Sequence, residues 1–304
     1  MTEFLKTPYL KRLFFGVMVR SFSTLLLLRF LLVPILEKQP LPTIQDVALA
    51  IVDNLLVAVV TTVVGAIVVL WATPPVVHKS KLEVIDPVQI KQALADAEQD
   101  TEFWWYRGNT ARHLRSVTLP TLAKAAKNTN LSKDINILML DPTNTIACEN
   151  YATHRQRLRS SVKNEPWTED RVRVELNATV VAAYYFKSQV PSLRITIGLL
   201  DKISIFRIDL ASKLLIMTKE GRDEPALRCD SGTFFYNSFR EDFIVSLDQS
   251  KILPNQIKLN TPEKLQLGTV KQLLKDVGLG NQQLDDKDIR VIIELVEKKD
   301  NPYG

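Results

Sequence analysis

Two long apolar stretches near the N-terminus constrain this chain more than any other feature. The first covers about residues 13–36 and includes MVRSFSTLLLLRFLLVPIL, and the second covers about 47–72. An α-helix rises about 1.5 Å per residue, so each stretch would extend roughly 35 to 40 Å, enough to cross a bilayer core with some tilt. We therefore predict an N-terminal two-helix transmembrane hairpin within residues 1–78.

A cleaved signal peptide is the alternative for the first stretch. The stretch is longer than a signal-peptide core, arginines interrupt it, no convincing cleavage site follows it, and a second apolar stretch comes next. We therefore expect the segment to be retained. Basic residues flank the hairpin and predict that both of its ends face the cytoplasm. They are Lys6, Lys11 and Arg12 before it, and His78, Lys79 and Lys81 after it.

Two arginines, Arg20 and Arg29, lie within the first apolar stretch. At about 100° per residue, their spacing places them on opposite sides of a helix. Counted from the loop, Arg29 lies at a depth similar to that of Asp53, so the two could pair within one hairpin or between neighbours. By the same count, Arg20 lies level with Thr61 and Thr62.

These polar residues have two interpretations. Each arginine can extend its own stem to the nearer interface and serve only as part of an anchor. Alternatively, the charges meet partners or water in an assembly, because lipid cannot solvate them. We favour the second interpretation and predict a homo-oligomer in the lipid bilayer, with polar assembly residues Arg20, Arg29, Asp53, Thr61 and Thr62.

Residues 79–252 alternate between helix and strand patterns and predict one cytoplasmic α/β domain with a mixed sheet. Asp86-Pro87 opens a helix to about residue 98, and the apolar run INILMLDP at 135–142 predicts a buried parallel strand. The remaining predicted elements are strands near 101–108, 193–200, 203–210 and 213–218, and helices near 109–116, 119–129, 145–163, 168–189 and 232–246.

Residues 253–304 predict a linker followed by a helical pair, at about 261–277 and 285–298. Thr261-Pro262 starts the first of these helices, and two glycines separate it from the second. The pattern leaves two arrangements open: the pair packs on the α/β domain, or it binds a partner.

The sequence carries no recognisable catalytic or metal-binding motif. Its histidines, His78, His113 and His154, lie in no zinc-binding or hydrolase pattern, and we predict neither an enzyme nor a cofactor. Cys148 and Cys229 are far apart, which is typical of a reducing compartment. A buried core cysteine is the simpler interpretation of Cys148, and a reactive thiol near His154 is the alternative.

A group of basic residues is the candidate binding site of the α/β domain. These side chains could cradle the phosphates of a nucleotide or a nucleic acid. The alternative is a solvated surface that also contains Glu149 and Asp141. The candidate residues are Arg107, Arg112, Arg115, Arg155 and Arg159, and the neighbouring Trp104, Trp105 and Tyr106 could form a base-stacking platform or part of the core.

Several segments resemble a non-catalytic version of the phospholipase D-like fold. They are TEFWWYRGNTARHLRSVTLPTLAKAA, INILMLDP and YATHRQR, with FRIDLASKLLIMTKEG and PALRCDSGTFFYNSF in the second half. Enzymes of that family require His-x-Lys-x-x-x-x-Asp, in which the histidine is the nucleophile. His113 is followed by Leu114 and Arg115, so the required pattern is missing. A membrane-anchored phosphodiesterase or nuclease therefore stays a minor alternative.

The whole layout is similar to two-transmembrane effectors of bacterial antiphage defence operons, including those encoded beside retron reverse transcriptases or nucleotide-signalling enzymes. The resemblance implies a toxin of abortive infection that disrupts the inner membrane once it is released or assembled. It also implies a partner that controls the cytoplasmic domain, either a reverse transcriptase with its nucleic acid or a nucleotide second messenger. A membrane-anchored sensor or scaffold that binds such a ligand is the alternative function.

Overall fold

In a computed structural model the chain forms two compact units, residues 1–78 and 79–304. The structure describes residues 8–36, 42–72, 82–158, 166–221, 224–257, 264–282 and 284–298. The first unit is a pair of long helices, and the second is an α/β unit. Residues 253–304, which the sequence sets apart as a linker and helical pair, belong to the same compact unit as the rest of the α/β sequence.

The N-terminal unit consists of helices α1 (Pro8–Leu36) and α2 (Pro42–Ala72). Each ends where the apolar stretch predicts and begins about five residues earlier. The segments Arg12–Leu31 and Val47–Val68 are long and apolar enough to cross a membrane. None of the first segment and only 6% of the second is buried by protein, so most of this apolar surface is open to its surroundings.

An eight-stranded mixed sheet forms the centre of the second unit, with spatial order β1-β7-β6-β5-β2-β3-β4-β8. Strands β2, β3 and β4 run parallel, and the remaining pairings are antiparallel. The strands are β1 (Glu83–Ile85), β2 (Phe103–Arg107), β3 (Lys133–Leu140), β4 (Leu193–Leu200), β5 (Phe206–Ala211), β6 (Leu214–Lys219), β7 (Ala226–Asp230) and β8 (Lys251–Ile252).

The predicted buried strand is confirmed, because β3 lies between two parallel neighbours and its residues 137–140 are all buried. The antiparallel group in the second half of the domain is confirmed as well. The sequence prediction missed β1, β7 and β8. These strands lie at or next to the sheet edges and are two to five residues long, too short to show a period-2 pattern.

Helices cover the two sheet faces unequally. The helices of the second unit are α3 (Pro87–Gln99), α4 (Leu119–Thr129), α5 (Thr145–Gln156), α6 (Glu169–Gln189), α7 (Phe234–Asp248), α8 (Leu267–Asp276) and α9 (Asp286–Glu297). Only α7 contributes to the core on one face, where the Phe243 ring stacks on Trp105 at 5.2 Å. All the others contribute to the larger core on the opposite face.

Local sequence explains several helix starts. Asp86 and Gln89 form the capping box of α3, and Thr168 accepts a hydrogen bond from the Arg171 amide at the start of α6. The predicted helix at 109–116 is wrong in detail. Residues Leu114–Thr118 form a π-helical turn that runs directly into α4.

The C-terminal helices pack on the α/β domain, which was the first of the two predicted arrangements. Val270, Leu273 and Ile292 are at most 2% exposed and belong to the same core as the sheet. The Asn177 amide nitrogen on α6 also donates to the Gln282 side-chain oxygen at 2.7 Å. The pair is therefore an integral layer of the unit.

Candidate functional site

An ion pair joins the two N-terminal helices. Nε of Arg29 lies 2.5 Å from Oδ1 of Asp53, and Nη2 lies 3.3 Å from Oδ2, so the guanidinium donates to both carboxylate oxygens. The contact that the depth count predicts is therefore present within one chain. The side chains remain 44% and 46% exposed, so nearly half of this paired charge is uncovered.

Helical spacing explains why Arg29 reaches its partner. Phe14, Met18, Ser21 and Leu25 are half-buried and form a stripe along α1, at intervals of three and four residues. Arg29 extends the same stripe by one turn, which directs it toward α2. Because it lies at the rim of the helix contact, its outer side is open.

Arg20 and the threonines have different surroundings. Thr61 and Thr62 donate to carbonyl oxygens of their own helix, those of Val57 and Ala58, at 2.5 and 2.7 Å. Arg20 is exposed, and no described residue forms a hydrogen bond or ion pair with it. The sequence places Arg20 at the same depth as the two threonines, but within a single chain the described residues show no contact between them.

In the α/β unit the predicted basic group does not form one surface. Arg107 lies on the α7 side of the sheet, because it alternates with Tyr106 along β2, and Nη1 contacts Oδ2 of Asp242 at 2.5 Å. Arg115 is buried and donates to Oε2 of Glu175 at 2.6 Å and to the Glu175 carbonyl oxygen at 2.9 Å. Both arginines hold elements together. Arg115 is too deeply buried to reach a ligand, so its assignment to a phosphate site is wrong, whereas that of Arg107 stays a prediction.

Two of the predicted arginines do converge, on a tryptophan that the sequence analysis did not single out. The guanidinium carbons of Arg112 and Arg155 lie 5.5 and 4.8 Å from the ring centre of Trp167, and that of Arg171 lies at 4.6 Å. Trp167 is only 2% exposed. We call these four residues the arginine–tryptophan cluster. Arg159 lies outside the described residues.

The carboxylate of Glu220, the residue directly after β6, lies beside the arginine–tryptophan cluster. Oε1 of Glu220 accepts from the Tyr151 hydroxyl at 2.7 Å and from the Asn109 amide at 3.3 Å. Its Oε2 lies 3.5 Å from Nη1 of Arg155. Asn109 follows the carboxyl end of β2, the end of a parallel strand at which α/β proteins commonly bind ligands.

Among the described residues around Trp167, arginines outnumber carboxylates. Glu175 pairs with Arg112 at 3.2 Å, and it also pairs with the buried Arg115. Glu220 is the acidic partner of Arg155, at a distance long for a hydrogen bond, and the buried Nε of Arg155 has no hydrogen-bond partner among the described residues. The cluster can therefore accept an additional anion, or one that replaces Glu220.

The other sequence candidates are core residues. Trp104, Trp105 and Tyr106 are 1%, 9% and 3% exposed, so they cannot form a stacking platform. Cys148 and Cys229 are fully buried, and burial raises the pKa of each thiol to about 11, which disfavours the reactive thiolate. The two acidic residues that were the alternative evidence for a solvated surface differ. Glu149 is exposed, as that alternative predicts, but Asp141 is buried and accepts hydrogen bonds from Thr143.

A second group of polar residues, which the sequence analysis did not predict, lies within the larger core beside the π-helical turn. It consists of Glu98, His113, Arg207 and Asp209. Burial raises the pKa of Glu98 to about 7, with the charge of Asp209 adding to the effect. Burial also lowers the pKa of His113 to about 3, assisted by the positive charge of Arg207. Arg207 pairs with the buried Asp209 at 2.6 Å. The described residues contain no cluster of three or more potential metal ligands.

We expect Glu98→Gln to flatten the pH dependence of stability. Between pH 4.5 and 7, Glu98 is protonated in the folded chain but ionised in the unfolded chain. Its contribution to the free energy of unfolding is therefore fully present below pH 4.5 and is lost as the pH rises through 7. The variant should gain up to about 3 kcal/mol relative to the wild type between pH 4.5 and 8. Urea unfolding across this range measures the difference, with the exposed Glu102→Gln as control. A constant difference would contradict the assignment.

Comparison with protein-family models and with curated protein sequences finds no match. Among solved structures, that of TrmBL2, described as an archaeal chromatin protein with a novel mode of DNA binding, is similar with a TM-score of 0.32. The two are 9% identical over 68% of this chain and 67% of that one. A likeness at this level carries no argument about fold or function.

Proposed function

We propose that this chain is a membrane effector whose two N-terminal helices span a bacterial inner membrane, with both termini in the cytoplasm. Several copies assemble through the hairpins and disrupt the membrane, and the α/β unit holds this activity in check or triggers it. The proposal places the chain among antiphage effectors of abortive infection, where a reverse transcriptase with its nucleic acid, or a nucleotide second messenger, would be the controlling partner.

The half-exposed pair of Arg29 and Asp53 carries this proposal. A passive anchor gains nothing from two charges in an apolar helix pair, because transferring charge into hydrocarbon is costly even when it is paired. The pair lies at the rim of the helix contact, where a single hairpin cannot cover it. A second hairpin, or water in an assembled pore, can.

The surface of the hairpin is consistent with assembly in lipid. Large apolar side chains such as Val19, Phe30 and Val57 are more than 60% exposed, a surface that water would not tolerate but acyl chains would. The α/β unit, in contrast, has a closed core on both faces of its sheet. The chain therefore divides into a part suited to lipid and a part suited to water.

Controlled expression in a bacterium tests the proposal. We expect the full chain, expressed alone or with its neighbouring genes, to depolarise the inner membrane in at least one state, as reported by a potential-sensitive dye. Purified chain reconstituted in vesicles should release encapsulated chloride under the same conditions. Correct insertion without depolarisation or release in any state would contradict an effector function.

The arginine–tryptophan cluster favours a second candidate function, a membrane-anchored sensor or scaffold that binds a nucleotide or nucleoprotein. Glu220 occupies a position between Tyr151, Asn109 and Arg155 that a phosphate group could take, since a phosphate accepts the same hydrogen bonds. Binding at this site without any change in membrane potential would favour the sensor. Binding coupled to depolarisation would join the two functions in one chain.

We expect Arg155→Gln to weaken the binding of phosphate-bearing ligands at least tenfold, because charge-assisted hydrogen bonds to phosphate contribute about 1.5 to 3 kcal/mol each. Calorimetric titration of the full chain in detergent with mono- and dinucleotides measures this effect. Arg157→Gln, on the same helix end but exposed, is the matched control. Equal affinities for the two variants would show that the cluster has only a structural role.

A further inference from the structure

Arg20 lies in the interior of an apolar segment, and the described residues provide no partner for it. It lies about eight residues inside the segment Arg12–Leu31, so about 12 Å from that segment's N-terminal end. Its side chain is exposed, and it points away from the stripe of α1 that contacts α2. Arg29, about 180° around the helix, is already paired with Asp53, the acidic residue within Val47–Val68.

The charge balance of the hairpin leaves Arg20 uncompensated. Within Arg12–Leu31 and Val47–Val68 the acidic side chain is Asp53, and it is paired with Arg29. A second copy brings the same excess of positive charge and cannot neutralise the first. Several copies together therefore place several unpaired guanidiniums at one depth, where water and mobile anions can solvate those that do not extend to the interface.

The surface around Arg20 mixes small or polar residues with the exposed leucines Leu13, Leu27 and Leu31, which lie within about 20° of it on the helix. Gly16, Ser23 and Thr24 lie within about 60° of Arg20 on the helix, and all three are exposed. Hydroxyl groups and a residue without a side chain suit contact with water or with another helix better than contact with acyl chains. The unpaired charge of Arg20, more than its neighbours, therefore identifies this face of α1 for a water-filled path.

We propose that Arg20 lines the aqueous path through an assembly of hairpins and makes that path selective for anions. The inference rests on the proposed membrane-disrupting function and adds the nature of the permeating species, small inorganic anions such as chloride. The other helices around the path belong to further copies of this chain. Rings of arginine or lysine are the arrangement by which protein pores favour anions.

Reversal potentials in planar bilayers test the inference. The full chain is reconstituted under the conditions that give conductance, and a potassium chloride gradient is applied. We expect the wild type to prefer chloride over potassium, and Arg20→Gln to reduce that permeability ratio more than tenfold. One unit charge close to the path changes the occupancy of each ion about fivefold in water, in opposite directions for chloride and potassium. Arg20→Lys should keep the preference, and Arg12→Gln at the segment end is the matched control.

The outcomes separate this inference from the function on which it rests. Conductance without chloride preference in the wild type, or a preference that Arg20→Gln leaves unchanged, would overturn the inference and leave the effector function standing. The second result would mean that Arg20 only extends to the interface. An inserted wild-type chain without any conductance would overturn both. The wild-type measurement decides the inference even if the Arg20→Gln chain does not insert.

Discussion

We expect Arg29→Leu to abolish membrane depolarisation by this chain, because it leaves the Asp53 carboxylate unpaired among apolar side chains. An isolated charge at the centre of a spanning helix costs about 2.5 to 3.5 kcal/mol, and Asp53, about 9 Å inside Val47–Val68, should cost at most this much. Such a cost would reduce the population of correctly inserted hairpin by up to about two orders of magnitude. Asp53→Leu should have a comparable effect.

The double variant Arg29→Leu, Asp53→Leu separates insertion from activity. Without either charge the hairpin should insert at least as well as the wild type, yet we expect no depolarisation, since the feature that brings hairpins together is gone. The exchange Arg29→Asp, Asp53→Arg should restore much of the activity, because it reverses the pair without removing it. Dye fluorescence in cells and the membrane-bound fraction measure the two properties, with Arg12→Leu as control.

The same set of variants defines what would contradict the proposal. A double leucine variant that still depolarises cells on induction would show that the helices are only an anchor. The membrane activity would then have to come from the α/β unit. A charge exchange that inserts normally but stays inactive would show that the orientation of the pair matters beyond its presence.

We expect Arg115→Met to lower the free energy of unfolding of the α/β unit by about 3 to 5 kcal/mol. Arg115 is 4% exposed, and it joins the π-helical turn to α6 through three contacts: the Glu175 carboxylate, the Glu175 carbonyl oxygen and the Thr179 hydroxyl. Without the guanidinium, Glu175 keeps only its 3.2 Å contact with Arg112 inside a buried site.

Urea unfolding of the full chain in detergent, followed by tryptophan fluorescence, measures this change. Trp104, Trp105 and Trp167 all lie in the cores of this unit, so the emission reports its packing. Arg157→Met removes an exposed guanidinium of the same size and should change the stability by less than about 0.5 kcal/mol. Equal effects of the two substitutions would contradict the structural role of Arg115.

Sequence patterns alone predicted the features that depend on local physics. The length and apolarity of α1 and α2, the buried strand at β3 and the start of α3 at Asp86-Pro87 each follow from a period, a run or a cap within about thirty residues. The meeting of Arg29 and Asp53 followed as well, because a tight connection between two helices fixes which residues lie at the same depth.

Sequence patterns could not predict the partners of the arginines in the α/β unit. Arg115 meets Glu175 across 60 residues, Arg155 meets Glu220 across 65, and Arg107 meets Asp242 across 135. The order of the strands and the choice of sheet face decide these meetings, and nothing local to an arginine encodes them. The sequence by itself determined which segments are helix, strand or lipid-suited surface. Only the tertiary structure decided which charges of the α/β unit form internal pairs, because a charge selects its partner by distance in space, and the fold brings remote segments together.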